Sequence, residues 1–359
     1  MSRPRIALVL ATSTGGVGVH VQSLTRHLVA AGWPVTVCAP ASTLALFDFA
    51  GARTTVVPVG SAGREPFAVP ALRHATGDAA LVHAHGLRAG AAAALTALIT
   101  ASPRPLVVTW HNAVLANGLR ARVLGAGERF VARRATLNLA ASADVAARIS
   151  RLGARAVEMA PVAAPAPVPA RTAAAVRAEL GMTDGRPLIV SVGRLHPQKA
   201  VDVLIGAAAR WSQRGVPPLV VVAGDGPLHA ELAQSIAQTG APVRLLGRRT
   251  DVADLLAAAD VVALASRWEA RPLAVQEAMS LGRAVVATDV GGVAALVGDG
   301  AMLVPSGDVG ALSTAVARLL DDPAERADLE RKALLQARTW PTEDDTARAC
   351  VAVYQRLLG

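Results

Sequence analysis

The chain has 359 residues, ample length to bury a hydrophobic core, and at roughly 100–200 residues per domain it predicts two domains. The residues are 52% hydrophobic and 18% charged, which excludes a disordered chain, and no apolar run approaches the ~20 residues of a transmembrane helix. The two cysteines, Cys38 and Cys350, lie far apart and form no metal or disulfide pattern, so we expect a protein of the reducing cytoplasm.

The formal net charge of +9 is distributed unevenly along the chain. Residues 1–165 hold 16 arginines and 6 acidic residues, whereas the rest holds 20 basic and 21 acidic residues. A basic first half could meet nucleic acid, an anionic membrane or an acidic small molecule. Because aromatic residues are only 3% of the chain, single-strand nucleic-acid binding is disfavoured, and we expect no nucleic-acid partner.

Short runs of Val, Ile and Leu alternate with longer stretches of helical period along the whole chain. In the first half the predicted strands are residues 5–10, 34–39, 54–59, 81–85, 105–110 and 137–140. Three prolines then fall within residues 163–170, which predicts an interdomain linker, because proline ends both helices and central strands. In the second half the predicted strands are residues 188–192, 219–223, 243–246, 261–265, 284–288 and 301–304.

This alternation predicts two α/β domains, each a Rossmann-like, doubly wound parallel sheet, facing a shared cleft. The boundaries are residues 1–165 and 171–340, with a last helix at residues 342–359 that we expect to pack back on the first domain. Ligands of such sheets bind beyond the carboxyl ends of the strands. Functional residues are therefore expected in the loops that follow strands.

Three strand ends of the first domain carry residues at this position. Gly15 and Gly16 follow the first strand and open a helix, so the backbone could approach a phosphate or sugar closely. His85 and His111 end two further strands and are candidate functional residues. We expect His83, two residues before His85, to face the opposite side of the sheet and to be structural.

The loops of the second domain hold the more specific motifs. Arg194 and Lys199 follow its first strand and could grip a diphosphate between them. Glu269 precedes a helix expected to have Pro272 in its first turn, and Glu277 lies in the second turn. Carboxylates so placed suit bidentate hydrogen bonds to the hydroxyls of a ring, and the helix N-terminus between them favours an anion.

Together these motifs resemble glycosyltransferase family 4, a group of retaining, nucleotide-sugar-dependent enzymes with the two-domain GT-B architecture. The resemblance runs from about residue 5 to residue 358. The matching motifs are Gly15-Gly16 with His20, Thr109-Trp110-His111-Asn112, Gly193-Arg194-Leu195 with Lys199, Gly224-Asp225-Gly226-Pro227, and the pair Glu269 and Glu277 followed by Gly291-Gly292. The chain departs from the family pattern at Ala200 and Ala270, where glycine is usual, and at Val293, where an acid is common.

The resemblance implies roles for individual residues of this chain. Arg194 and Lys199 would hold the donor diphosphate, and the backbone of Gly15 and Gly16 would approach it. Glu277 would bind the nucleotide ribose and Glu269 the donor sugar. The remaining expected site residues are His111 beside the reacting sugar, Arg271, Pro272 and Leu273 on the phosphate or sugar, and His85 and Asn112 on the acceptor side.

The expected reaction moves a hexosyl group from a nucleoside-diphosphate sugar to an acceptor hydroxyl, with retention of anomeric configuration. The leaving diphosphate would be stabilised by Arg194, Lys199 and the helix dipole, so we expect no metal and no other cofactor. The acceptor could be lipid-linked, a bacterial glycoconjugate or a secondary metabolite. Two alternatives stay open, namely a GT-B relative with epimerase or phosphorylase chemistry, and a non-catalytic protein that binds a membrane surface.

Residues 119–134 predict a helix with a basic face. At 100° per residue, Arg122, Arg129 and Arg133 fall within an arc of about 40°, beside an apolar stripe that contains Leu119 and Val123. This pattern is typical of a helix that rests on an anionic membrane surface. We therefore expect a cytoplasmic protein that associates peripherally with the inner face of the membrane.

Overall fold

The computed structural model describes residues 3–61, 67–100, 104–112, 118–182 and 184–359. The chain divides into two compact units. The first unit comprises Met1–Pro165 and Pro341–Gly359, and the second comprises Ala166–Trp340. In the described part of the chain, no helix is both long enough and apolar enough to cross a membrane.

The first unit contains a seven-stranded sheet with the order β3-β2-β1-β4-β5-β6-β7, in which every pair is parallel. Its strands are β1 (Ile6–Leu10), β2 (Val35–Ala39), β3 (Arg53–Val56), β4 (Leu81–His85), β5 (Leu106–Trp110), β6 (Leu137–Ala140) and β7 (Val157–Met159). Its helices are α1 (Gly16–Ala30), α2 (Ala41–Leu44), α3 (Ala68–Ala75), α4 (Leu87–Leu98), α5 (Gly118–Arg134) and α6 (Ala143–Arg151). The chain winds outwards in both directions from β1 and β4, so the ligand-binding crevice of such a sheet lies at their carboxyl ends.

The second unit contains a six-stranded parallel sheet with the order β10-β9-β8-β11-β12-β13. Its strands are β8 (Leu188–Val192), β9 (Leu219–Ala223), β10 (Val243–Leu245), β11 (Val261–Leu264), β12 (Ala284–Thr288) and β13 (Met302–Val304). Its helices are α7 (Ala173–Glu179), α8 (Val201–Trp211), α9 (His229–Thr239), α10 (Val252–Ala258), α11 (Leu273–Ser280), α12 (Val293–Val297), α13 (Val309–Asp321) and α14 (Pro323–Ala337). Here the winding direction changes between β8 and β11, which places the crevice at those two strands.

The twelve strands expected from the sequence are all present, most with ends shifted by no more than a residue. The largest shift is in β3, which ends at Val56, because proline at residue 58 cannot donate to the ladder. β7 was not predicted. It has three residues, none of them fully buried, and lies at the edge of the sheet, so it lacks the apolar run that marks the other strands.

The last helix, α15 (Glu343–Leu358), belongs to the first unit. Its N-terminus has a capping box, in which Thr342 and Asp345 satisfy each other's backbone N–H groups. Tyr354, fully buried on this helix, has its hydroxyl oxygen 2.6 Å from His83 Nδ1 in the sheet. Residues 163–170, the expected linker, form neither helix nor strand.

Candidate active site

Four loops meet along one edge of the second sheet, because neighbouring parallel strands all end there. They follow β9, β8, β11 and β12, which are adjacent in the sheet. The loops after β8 and β11 flank the crevice at which the winding changes direction. They contain Arg194 and Lys199 on one side and Glu269 on the other, so the fold brings together residues that are 70 or more positions apart.

The loop that contains Arg194 is held by backbone contacts to the loop after β9. Leu195 N donates to the carbonyl oxygen of Asp225 at 3.0 Å, and Gly193 N donates to that of Ala223 at 3.0 Å. Gly224 has a φ of +150°, and a Cβ there would collide with the carbonyl oxygen of Gly193. The close approach thus requires glycine. Arg194 itself is exposed, and in the described part of the chain its guanidinium has no ion-pair partner.

Lys199 closes a single 3-10 turn, Pro197–Lys199, that leads into α8. The next residue, Ala200, has φ +46° and ψ +47° and is the one non-glycine residue with positive φ in the described ranges. Glycine adopts this left-handed conformation at no steric cost, which explains physically why glycine is usual at this position. The turn aims the Lys199 side chain back across Gly193, with Lys199 Cε 3.2 Å from where a Cβ on Gly193 would be.

Glu269 and Lys199 form an ion pair at the centre of this edge. The Lys199 side chain is 20% exposed and that of Glu269 only 8% exposed. Ser266 Oγ also donates to Glu269 Oε1 at 2.7 Å. The pair was not anticipated from the sequence, which assigned the two residues to different parts of a donor. A ligand that binds here meets a preassembled cation and carboxylate.

The backbone of Glu269 is fixed by the glycine pair after β12. Gly292 N donates to the carbonyl oxygen of Glu269 at 2.9 Å. Gly291 has φ +56°, and a Cβ there would overlap this same oxygen and lie 2.9 Å from Trp268 Nε1. Both the left-handed backbone and the close approach therefore require glycine.

Helix α11 begins immediately after this loop. Pro272 is the N-cap residue, one position before the helix, rather than part of the first turn as expected, and Leu273 is the first helical residue. The first turn has no acidic side chain, so the N-terminal N–H groups face no competing carboxylate of their own helix. The half-buried Arg271 has its guanidinium carbon 5.8 Å from the centre of the Trp340 ring, and burial lowers its pKa to about 10.

Glu277 lies in the second turn of α11 and is half-buried. Burial raises the pKa of its carboxyl group to about 7. Among the residues that the structure describes, no side chain forms an ion pair or hydrogen bond with this carboxylate. A half-buried acid without a protein partner is costly unless it is protonated or binds a ligand, and strongly shifted carboxyl groups are common at functional sites.

In the first unit the expected site residues lie at the carboxyl ends of β1, β4 and β5. Gly15 is the N-cap residue of α1 and Gly16 its first residue. His85 ends β4, and His111 follows β5. His85 Nδ1 lies 3.2 Å from His111 Nε2, and their rings stack at an angle of 22°. The next residue, Asn112, is exposed.

The prediction that His83 faces away from His85 was wrong. Side chains two residues apart in a strand point to the same face of the sheet, and the two rings lie 4.2 Å apart between centroids. The expectation that His83 is structural agrees with its contacts, because its two ring nitrogens lie 2.6 Å from Tyr354 Oη and from Thr109 Oγ1. His83 therefore anchors α15 to the sheet.

Sequence reasoning missed His20 as a member of this group. His20 lies on α1, and its ring is 5.6 Å from that of His85 and 5.3 Å from that of His111. All three histidines are buried, and burial lowers the pKa of each, that of His20 to about 4. Helix α1 follows β1, which is the neighbour of β4 in the sheet. The position of His20 one turn into α1 was therefore the signal that its side chain could lie near His85.

Comparison with known proteins assigns both units to one class. Residues 15–165 match the family described as glycosyl transferase 4-like domain, and residues 186–322 match glycosyl transferases group 1. The chain is 33% identical over 329 residues to the D-inositol 3-phosphate glycosyltransferase of Kineococcus radiotolerans, covering 79% of this chain and 73% of that protein. It is 34% identical over 166 residues to the alpha-D-kanosaminyltransferase of Streptomyces kanamyceticus, a match that spans 45% of this chain and only 43% of that relative.

Solved structures share the complete fold. Anabaena HepE, crystallised with UDP-glucose, superposes with a TM-score of 0.86 at 20% identity over 99% of this chain and 100% of HepE. The sucrose-phosphate synthase of Thermosynechococcus elongatus gives 0.84 at 21% identity over 99% of both chains. Two Rossmann-like units of this kind define the GT-B architecture. The chain belongs to glycosyltransferase family 4, as its motifs indicated.

Proposed function

We propose that this glycosyltransferase moves a hexosyl group from a nucleoside-diphosphate sugar to an acceptor hydroxyl with retention of anomeric configuration. The arrangement around the Lys199–Glu269 ion pair carries the proposal. A cation, a buried carboxylate, an exposed guanidinium at Arg194 and the start of α11 all lie at one edge of one sheet. A diphosphate with a hydroxylated ring on each side has groups of complementary charge and hydrogen-bonding capacity.

The donor would bind along this edge with its charges matched. Arg194 and Lys199 would hold the diphosphate, together with the backbone N–H groups of Arg271 and Leu273, which flank Pro272 at the start of α11. Glu269 would accept hydrogen bonds from the sugar hydroxyls, since its carboxylate is oriented by Ser266. We assign the ribose to Glu277 and contacts with the donor to Gly15 and Gly16, on the strength of the family resemblance.

The chemical step would be departure of the nucleoside diphosphate and attack by the acceptor hydroxyl on the same face. Arg194, Lys199 and the α11 dipole would stabilise the growing charge on the leaving diphosphate. One diphosphate oxygen would take the acceptor proton, and His111 would lie beside the reacting sugar. Two fixed cations supply the counter-charge, so we propose that transfer needs no metal.

A ligand panel tests the donor assignment directly. Nucleoside-diphosphate sugars with different bases and sugars are added to the protein, and thermal unfolding is recorded for each. A true donor at 100 times its Kd should add about 2.7 kcal/mol to the free energy of unfolding. HepE was crystallised with UDP-glucose, so UDP-hexoses are the first compounds to try. Stabilisation by none of these donors would contradict the proposal.

Donor affinity should fall as the pH drops below about 7, because burial raises the pKa of Glu277 to about 7. The ionised carboxylate can accept two ribose hydroxyls, whereas the protonated form loses acceptor capacity. The dissociation constant should therefore rise by up to about tenfold per pH unit below the pKa. Calorimetric titration with an intact nucleotide sugar measures this, because its diphosphate does not titrate in this range.

The matched control for this titration is Glu277→Gln. It should bind the donor more weakly at neutral pH and show a flat pH profile. If Glu277→Gln keeps the pH dependence of the wild type, another group is responsible and the assignment of Glu277 is wrong.

We further propose that α5 docks on an anionic membrane, where a lipid-linked acceptor would be reached. Leu119 is 75% exposed and Val123 is 64% exposed, beside the exposed Arg122, Arg129 and Arg133. The side chains of Leu119 and Val123 are exposed to solvent in this unit. On a membrane they could insert below the lipid headgroups. Each arginine near an acidic bilayer contributes roughly 1 kcal/mol of attraction.

Sedimentation with vesicles tests this docking. Binding should require acidic lipid and fall with added salt, and it should weaken when Arg122, Arg129 and Arg133 are changed to Ser. A triple change of the exposed Arg73, Arg151 and Arg155 to Ser removes the same charge from the same unit and should weaken binding much less. Equal loss in both variants would show that the basic unit as a whole, and not α5, attracts the vesicles, and no binding at all would favour a small-molecule acceptor without membrane contact.

A further inference from the structure

Three histidines of the first unit converge although they come from three different elements. His20 is on α1, His85 ends β4 and His111 follows β5. One nitrogen of each ring lies within 4.8 Å of one nitrogen of the other two. Nothing in the transfer reaction calls for three adjacent imidazoles, since only His111 is assigned a place beside the sugar.

The spacing fits a tetrahedral metal ion. Zinc–nitrogen bonds of about 2.0–2.1 Å place two ligand nitrogens roughly 3.3–3.4 Å apart. His85 Nδ1 and His111 Nε2 are 3.2 Å apart, close to that separation. The third nitrogen is at most 4.8 Å from the others, so the His20 nitrogen would need to move by up to about 1.5 Å to complete the set. Three protein nitrogens leave a fourth position open.

The donor atoms and the burial of the cluster also fit. Imidazole nitrogen is a ligand that zinc, copper and nickel bind well, and all three rings are buried away from bulk water. His83, the fourth histidine nearby, has both ring nitrogens engaged by Tyr354 and Thr109 and is therefore not part of the set.

We propose that His20, His85 and His111 form a binding site for a divalent transition metal ion of the zinc class, and that the bound ion inhibits sugar transfer. An all-nitrogen set favours zinc, cobalt, nickel or copper over magnesium or calcium. Binding would break the hydrogen bond between His85 Nδ1 and His111 Nε2, and the proton that one of these nitrogens carries would move to the other nitrogen of its own ring, so no proton need leave the protein. The inhibition, though not the binding, rests on the proposed role of His111, because a metal ligand cannot also contact the sugar.

Cobalt is the direct probe of this site. Chelator-stripped protein without a polyhistidine tag is titrated with Co²⁺, whose visible absorption is intense when it is tetrahedral. We expect one Co²⁺ per chain, displaced by one equivalent of Zn²⁺. His20→Gln should weaken cobalt binding by at least roughly 10- to 100-fold. Losses of that size follow when a residue that only hydrogen-bonds to a metal ligand is changed, and His20 would be a ligand itself. Absence of a tetrahedral cobalt spectrum in the wild-type protein would overturn the proposal.

The control variant is His229→Gln, which changes an exposed histidine at the start of α9 in the second unit. It should bind cobalt as the wild type does, and circular dichroism checks that both variants are folded. Equal affinity in His20→Gln and His229→Gln would show that the metal lies elsewhere and would overturn the site.

Activity gives the second readout. Zinc should inhibit release of nucleoside diphosphate by the wild type and by His229→Gln, and EDTA should restore it. Bound zinc without inhibition would overturn the regulatory part. Because the cobalt spectrum is recorded without any substrate, an inactive protein would count against the proposed transferase reaction and leave the metal site to be judged on its spectrum.

Discussion

Lys199→Ala is expected to lower the turnover of donor by roughly 100- to 1,000-fold, the loss typical when one group that stabilises transition-state charge is removed. Lys199 would neutralise the departing diphosphate, and through its ion pair it also orients the buried carboxylate of Glu269. Donor affinity should fall with turnover, because the ground-state diphosphate contacts the same ammonium group. Steady-state release of nucleoside diphosphate and calorimetric donor binding measure the two effects.

Lys332 provides the matched control, because it is the one other lysine of the chain and pairs with Asp328 on the exposed face of α14. Lys332→Ala should leave both activity and affinity unchanged. Lys199→Ala should also lose about 1–3 kcal/mol of unfolding free energy, since it leaves the carboxylate of Glu269 buried without its cation. A folded Lys199→Ala protein with wild-type turnover would contradict the assigned role.

Gly291→Ala is expected to have the second largest effect on stability and turnover. It would displace the backbone of Glu269 while leaving the Glu269 side chain chemically unchanged. The added Cβ would overlap the carbonyl oxygen of Glu269 and force the left-handed backbone of residue 291 to carry a side chain. We expect a loss of roughly 2–4 kcal/mol of unfolding free energy from strain and overpacking together. Turnover should fall by at least about tenfold, because a small displacement of a positioned group is costly to catalysis.

Gly240→Ala is the control that separates the cost of a left-handed backbone from the cost of a steric clash. Gly240 has a φ of +61°, similar to that of Gly291, but a Cβ there would meet nothing within 4 Å. This variant should lose only about 1 kcal/mol and keep its turnover. Urea unfolding and steady-state rates on both variants decide the matter, and equal losses in the two would show that contact with Glu269 is unimportant.

Much of the fold could be predicted because buried parallel strands have a strong local signature. Runs such as residues 188–192 and 284–288 are short, apolar and rich in valine, and both are strands with those bounds. β7 escaped detection because Val157–Met159 is a short edge strand with no such run. The side of the sheet that His83 faces was predictable from the two-residue period of a strand, and the error lay in applying that period.

The candidate site could be predicted only in part. Strand order places the loops after β8 and β11 together, so Arg194, Lys199 and Glu269 were expected at one edge. The ion pair between Lys199 and Glu269 depends on the left-handed backbone of Ala200, and no local pattern reveals that alanine adopts it. The meeting of His20 with His85 and His111 likewise depends on helix placement after β1, a long-range property of the folded chain.

The most direct test of the account is sugar transfer to water in the presence of EDTA. The donor that stabilises the protein most is incubated with wild-type enzyme, and proton NMR follows both the nucleoside diphosphate and the anomeric configuration of the sugar released first. We expect release with retained configuration, undiminished by EDTA and nearly abolished in Lys199→Ala. Release with inverted configuration, or release that stops when metal is chelated, would contradict it.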